Sequence, residues 1–359
     1  MIIVGDIASP SIAHSDRLRS FFKDHDNIFR HNSLICNFEG PISTTYNDSA
    51  NTPILYNDPS VVAVLKEANL VGVCLANNHT LDLPDCFDCT VQTLKNAGVN
   101  CVGAGRSSAE AERPIVYTEN EIEVVIFNFC WSFLLYHQQN PSNGVFIAEL
   151  NELKLIKTIQ KMRLEKPLSK VVVNLHWSFD LETLPFPSYR QFAKLLIEAG
   201  ATIVAGCHSH CVQGGEIYQN GYIIYGLGNF FIPHNVFANG QIKYPEMSKV
   251  QLAFEYDFTH KVARCHWFEY DEQQHVPIRY VKTEDFRKSE LLGKYSPYAS
   301  MDQKEYKTFF KKNRRKNFLV PVYSNIYNKT QNSVFTYWLK LRATLLRTLA
   351  KYKLRSWQN

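Results

Sequence analysis

The sequence predicts an α/β fold built on a largely parallel sheet with an antiparallel addition, and three observations carry that prediction. Short runs rich in Val, Ile and Leu alternate with amphipathic segments along most of the 359 residues, which is the pattern of βαβ units. Many of these runs close on an acid, an amide or an imidazole, as strands do where loops gather over the carboxyl edge of a sheet. With 45% hydrophobic residues the chain can bury a large core, and no run reaches the roughly 18 apolar residues of a membrane span.

Taken in order, strands are predicted over 1–4, 33–38, 70–75, 99–103, 123–129, 170–175, 201–205 and 222–225, each short and mostly closed by Gly, Asn or His. Helices are predicted over 59–68, where Asp58 caps and Pro59 opens the first turn, and over 84–96, ending before Gly98. Two more follow over 148–164 and over 188–199, the latter stopped by Gly200. The apolar segments 250–256 and 262–270, split by the polar stretch 257–261, read as a β-hairpin. The main domain is expected over 1–280, followed by an extension over 281–359.

Charge separates these two parts. The whole chain carries +5, but residues 301–359 hold 14 Lys and Arg against Asp302 and Glu305, a local +12. The first 300 residues keep 25 basic and 32 acidic groups, a net of −7, which argues against nucleic acid as the partner of the main domain. Nine scattered cysteines, an odd number, point to reduced thiols and a cytoplasmic setting rather than a disulfide framework. The start MIIVGD lacks the basic residues of a secretion signal. Cys86 and Cys89 form one C-x-x-C without a second pair, which reads as small buried hydrophobes before it reads as zinc.

The strand-end residues are the candidates for chemistry. Asp6 follows IIVG, Asn37 and Glu39 follow SLIC, and Asn77, Asn78, His79 and Asp82 follow VGVCLA. His176 ends KVVVNL, His208 and His210 follow ATIVAG, and Asn229 comes after YIIYG. Each has a plainer reading. Asp6 could cap a helix, Glu39 could sit in a solvated turn, the Asn pair could be turn formers, and His176 could be a hydrogen-bonded core residue. His208 and His210, as alternate residues of an extended segment, are expected to face one centre. Together the set offers mixed nitrogen and oxygen donors, which suit one or two ions of Mn, Fe or Zn better than Ca or Mg.

GDI at 5–7, NFEGPIS at 37–43, ANNHTLD at 76–82, LHWSFD at 175–180, GCHSHC at 206–211 and YGLGNF at 225–230 occur in that order. They resemble the motifs of the poly-γ-glutamate capsule-synthesis family, of CapA or PGA-cap type, a branch of the calcineurin-like metallophosphoesterases. The resemblance spans roughly residues 1–235 and implies a four-layer α/β/β/α sandwich with a metal centre between mixed sheets. It also implies roles: Asp6, Glu39, Asn78, His176, His208 and His210 as metal ligands, with Asp6 and His79 catalytic. Asn37, Asn77, Asp180 and Asn229 would contact substrate. Departures exist too. Ala8 stands where the wider superfamily has a ligand His, Pro84 replaces a Gly, and Pro233 stands where an Asp often follows GNF.

The expected activity is metal-dependent phosphoester hydrolysis tied to capsule or other surface-polymer synthesis, with His79 protonating or stabilising the leaving oxygen. An amide (γ-glutamyl) hydrolase or transferase is the alternative, and a non-catalytic part of a polymer synthesis or export machine is a third. In the extension, Phe335, Trp338, Leu339, Leu345, Leu346, Leu349 and Tyr352 recur at helical spacing within 333–357, among Lys340, Arg342, Arg347, Lys351 and Arg355. Such a basic amphipathic helix either docks on the acidic body or lies at an anionic membrane surface.

Overall fold

A computed structural model describes residues 1–44, 54–137, 144–271, 276–322 and 327–351. In chain order, β1 (Ile2–Ile7), β2 (Leu34–Phe38), β3 (Leu70–Cys74) and β4 (Asn100–Val102) run parallel in the first sheet. Among the described residues β5 (Ala104–Gly105) pairs with β8 (Phe146–Ile147) in a separate two-stranded sheet. β6 (Ile115–Glu119), β7 (Ile122–Cys130), β9 (Lys170–His176), β10 (Ile203–Cys207), β11 (Val212–Tyr218) and β12 (Gly221–Leu227) form the second sheet, in the order β11-β12-β10-β9-β7-β6. The chain then returns to the first sheet through β13 (Asn229–Phe231), β14 (Val250–Asp257), β15 (Val262–Asp271) and β16 (Val276–Asp285), giving β16-β15-β14-β1-β2-β3-β4 with β13 also on β1.

Alternation along each strand sorts the core into layers. Ile2 and Val4 of β1 face Leu18, Phe21, Phe22, Val61, Leu65 and Leu94 of the helices Ile12–Asp24, Ser60–Glu67 and Phe87–Asn96. Ile3, from the same strand, meets Ile126, Val172, Ile203 and Ile224 of the second sheet. On the far side Val171, Val173 and Leu175 of β9 pack on Leu155, Ile159, Phe192 and Leu196 of the helices Glu152–Glu165 and Pro187–Ala199. The result is the expected α/β/β/α sandwich with mixed sheets.

Local chemistry explains where boundaries differ from expectation. The helix expected from 148 begins at Glu152, because 146–147 is strand β8 and Asn151 accepts the Lys154 N–H at 3.0 Å as its N-cap. Residues 84–86 form a 3₁₀ turn ahead of Phe87–Asn96. The helix Ile12–Asp24, capped by Ser11, and the strands β6, β11 and β16 were not expected. β11 carries Gly214 at φ +78 and a break in register beside it, which masks its alternation.

Residue 280 falls inside β16, so the sheet itself runs past the expected domain end. Beyond it, the helices Glu290–Tyr295, Gln303–Asn313 and Lys329–Lys351 follow, and Tyr306, Phe310 and Leu339 join the core on the second sheet's helices. Arg190, fully buried, grips Glu216 through two bonds of 2.9 and 3.0 Å and donates to the Tyr298 and Met301 carbonyls at 3.2 and 2.9 Å. The extension is thereby tied to the body. Tyr352 and Arg355, expected on the last helix, lie outside the described residues, as do the side chains of Arg347 and Lys351. Among the described residues no helix is long and apolar enough to cross a membrane.

Candidate metal centre

The register of the strands brings the six motifs to one edge. Asp6 pairs with Asn37 across β1 and β2 and with Asn229 across β1 and β13. In the second sheet, His176 at the end of β9 stands opposite Cys207, the last residue before His208. Carboxyl ends of parallel strands in two facing sheets therefore converge on the same space.

The groups that meet there are buried and short of partners. One oxygen each of Asp6 and Glu39 and one nitrogen of His176 lie within 4.8 Å of one another. Both Glu39 oxygens, His176 Nδ1 and His208 Nδ1 are buried without a hydrogen bond, and Asp6 Oδ2 has His210 beside it. Such atoms beside the close Asp6, Glu39 and His176 group are a poor core and a good donor set, since buried polar groups otherwise find partners. The chemistry of the set, carboxylates and imidazoles, fits a divalent transition ion. His176 Nε2 is 2.7 Å from Asn78 Oδ1 and 3.7 Å from Glu39 Oε1, and the His176 and His208 rings are 4.8 Å apart. His210 Nδ1 lies 3.3 Å from Asp6 Oδ2 and 2.7 Å from Asn229 Oδ1.

Charge in this pocket is strongly perturbed. Burial, then the nearby Asp6 charge, raises the Glu39 carboxyl from 4.5 to about 7. Burial and the neighbouring imidazoles hold His176 well below its ordinary value. His208 is held low in the same way, with Lys316 adding to the effect. Burial disfavours charge on His210 as well, but Asp6 and Glu39 outweigh it and push this group up to about 10. His79 follows that second pattern: burial opposes its charge, and Asp82, 2.6 Å from Nδ1, raises it nonetheless.

The positions expected to touch substrate divide. Asp180 is exposed and acts on His210 through space. Asn37, Asn77 and Asn229 are buried, and protein groups take up their amides. Asn37 Nδ2 donates to Asp6 Oδ1 at 2.8 Å. Asn77 donates to the Phe38 carbonyl at 3.0 Å and accepts the His79 N–H at 3.0 Å. In this geometry the three amides are buried and bonded to protein groups, those of Asn37 and Asn229 to Asp6 and His210. The backbone argument for His208 and His210 is corrected. Both sit at positive φ, 86° and 52°, outside any strand, yet their rings lie 5.8 Å apart.

Sequence reasoning gave no role to Asp82 or Tyr244. Asp82 holds His79 and also accepts the Leu55 N–H at 2.8 Å, and its place three residues after His79 was the available signal. The Tyr244 ring lies 4.8 Å from that of His210; it comes from an irregular loop with no motif around it. Ala8 packs in an apolar cluster with Leu55, Ile232 and Phe237, so no donor occupies that position.

Residues 1–234 match the family described as bacterial capsule synthesis protein PGA_cap. The capsule biosynthesis protein CapA of Bacillus anthracis is 29% identical over 244 residues, 63% of this chain and 57% of that protein. The PGA biosynthesis protein CapA of Bacillus subtilis is 27% identical over 243 residues, 65% of this chain and 60% of that protein. The chain thus spans less than two thirds of the length of either relative. A crystal structure of a phosphatase from Mycoplasma pneumoniae aligns over 79% of this chain and 91% of that one, at 17% identity and a TM-score of 0.43. With two thirds of its length matched and the motif residues gathered at one edge, the chain belongs to the PGA_cap family of bacterial capsule synthesis proteins.

Proposed function

We propose that the protein is a metal-dependent hydrolase of phosphoesters that serves the synthesis of a capsule or similar surface polymer. One observation carries the reading: an oxygen each of Asp6 and Glu39 and a nitrogen of His176 lie within 4.8 Å of one another, where both Glu39 oxygens are buried without a hydrogen bond. Glu39, Asn78, His176 and His208 would hold one Mn, Fe or Zn ion, and Asp6, His210 and a shared Glu39 a second. When bound, such an ion supplies Lewis acidity to water and to a phosphoryl oxygen.

The chain's own groups do the rest. Asn37 and Asn229 orient Asp6 and His210, and Asn77 fixes the backbone at His79. Asp82 anchors His79 at Nδ1, which leaves Nε2 to carry a proton to the leaving oxygen. The PGA-related names of the relatives support a surface-polymer setting. A cytoplasmic site of action fits the six buried free thiols, although Cys86 and Cys89, expected to be buried, are half-buried and exposed.

His79→Ala tests the reading. Hydrolysis of a generic phosphodiester by the manganese-loaded protein should fall at least about 100-fold, the usual range for a lost general acid, with metal content by elemental analysis unchanged. A wild-type protein that holds metal but turns over only γ-glutamyl peptides would favour the amide chemistry instead. Loss of metal in the variant would refute the role given to His79.

A further inference from the structure

We infer that the basic turn at Arg315 and Lys316 is the anion-recognition element of the metal centre, selecting substrates that carry further negative charge beside the scissile group. This deepens the hydrolase reading and rests on it for what is bound there. The turn lies far in sequence from the metal-site motifs, and the fold brings it back to them.

The connection is a short chain of hydrogen bonds centred on a buried carboxylate. After His176 the backbone turns through Ser178 and Leu181, both at positive φ. The Leu181 N–H donates to the carbonyl of Ser209, the residue between His208 and His210, at 2.8 Å. The next residue, Glu182, is fully buried. Its carboxylate accepts the N–H of Arg315 at 3.0 Å and of Lys316 at 2.8 Å, across 133 and 134 residues of sequence. Its own neighbours Thr183 and Leu184 add N–H donors at 3.0 and 3.2 Å. A buried carboxylate satisfied by backbone N–H groups fixes the turn while leaving both cationic head groups unused.

Among the described residues neither Arg315 nor Lys316 has an ion-pair partner, and Arg315 is exposed while Lys316 is half-buried. Lys316 acts electrostatically on His208, and Arg315 on Cys211, the residue after His210. The position matters because the first 300 residues carry a net −7. An anionic chain approaching that body is repelled unless local cations stand at the mouth.

The test is calorimetric titration of the full chain, metal-free and manganese-loaded, with tripolyphosphate in one arm and a γ-linked glutamate oligomer in the other. The two arms separate phosphate from carboxylate as the source of charge. In whichever arm the wild type binds, Arg315→Ala/Lys316→Ala should weaken binding about tenfold, the loss expected for two partly exposed charge contacts. Lys311→Ala/Lys312→Ala, which removes equal charge from the preceding helix, should change it by less than about twofold. Equal losses in the two double variants, or no binding of either probe by the wild type, overturns the proposal. Binding that depends on the turn without any phosphoester turnover supports it and sinks only the hydrolase reading.

Discussion

Glu39 has no exposed surface, and neither of its oxygens accepts a hydrogen bond. Held beside Asp6, it destabilises the metal-free fold, because a buried carboxylate without donors forfeits its hydration. Glu39→Gln should therefore stabilise the metal-free protein by about 1 kcal/mol and remove most of the stabilisation that manganese confers. That stabilisation is about 2.7 kcal/mol for the wild type at a hundredfold excess over Kd. Denaturant unfolding with and without manganese measures both effects; a Gln variant that still gains as much as the wild type removes Glu39 from the ligand set. The identity of this residue was legible in the sequence because it ends an apolar run before Gly40-Pro41. His176 was legible as the strand end it is, but His208 and His210 were legible for the wrong backbone reason. His208 and His210 converge through left-handed turns, and such turns leave no periodic trace. The amides of Asn37, Asn77 and Asn229 were visible as strand-end residues, but whether an amide faces a ligand or holds one depends on burial.

The helix Lys329–Lys351 shows the same division between pattern and placement. Its apolar spacing was readable, and Leu339 is fully buried against the body, with Phe335 packed beside it. Docking on the body thus occurs. A second stripe, Val334, Tyr337, Leu341 and Leu345, stays 64, 65, 48 and 43% exposed, which supports the peripheral membrane contact as a further proposal. Full-length protein should float with vesicles containing phosphatidylglycerol and stay behind with phosphatidylcholine alone. Tyr337→Ser/Leu341→Ser/Leu345→Ser should reduce the bound fraction at least about tenfold, given the apolar area removed. Equal recovery with both lipids, or with the triple variant, rejects this contact. Regular strands such as β1 and β9 were legible because they are buried on both faces. β11 was not, since Gly214 and Gly215 interrupt its pattern, and neither was Ile12–Asp24, where Arg, Lys, Asp and His dilute the apolar face.

The α/β/β/α arrangement makes the site possible, because two sheets meet face to face and each contributes strand ends to one pocket. Asp6, Glu39 and Asn78 come from the first sheet's side, His176, His208 and His210 from the second's. The extension was legible as a charge boundary but not as a structural one, since Tyr306, Phe310 and the Arg190–Glu216 pair weld it to the body. Its basic turn then returns to the candidate metal centre through Glu182. All of this rests on the pocket holding a cation. Elemental analysis of the purified chain, after manganese loading and dialysis, should find at least one divalent ion per chain in the wild type. Asp6→Asn/His176→Ala should retain far less. Wild-type protein that emerges free of metal, or a variant that keeps the full complement, contradicts the account.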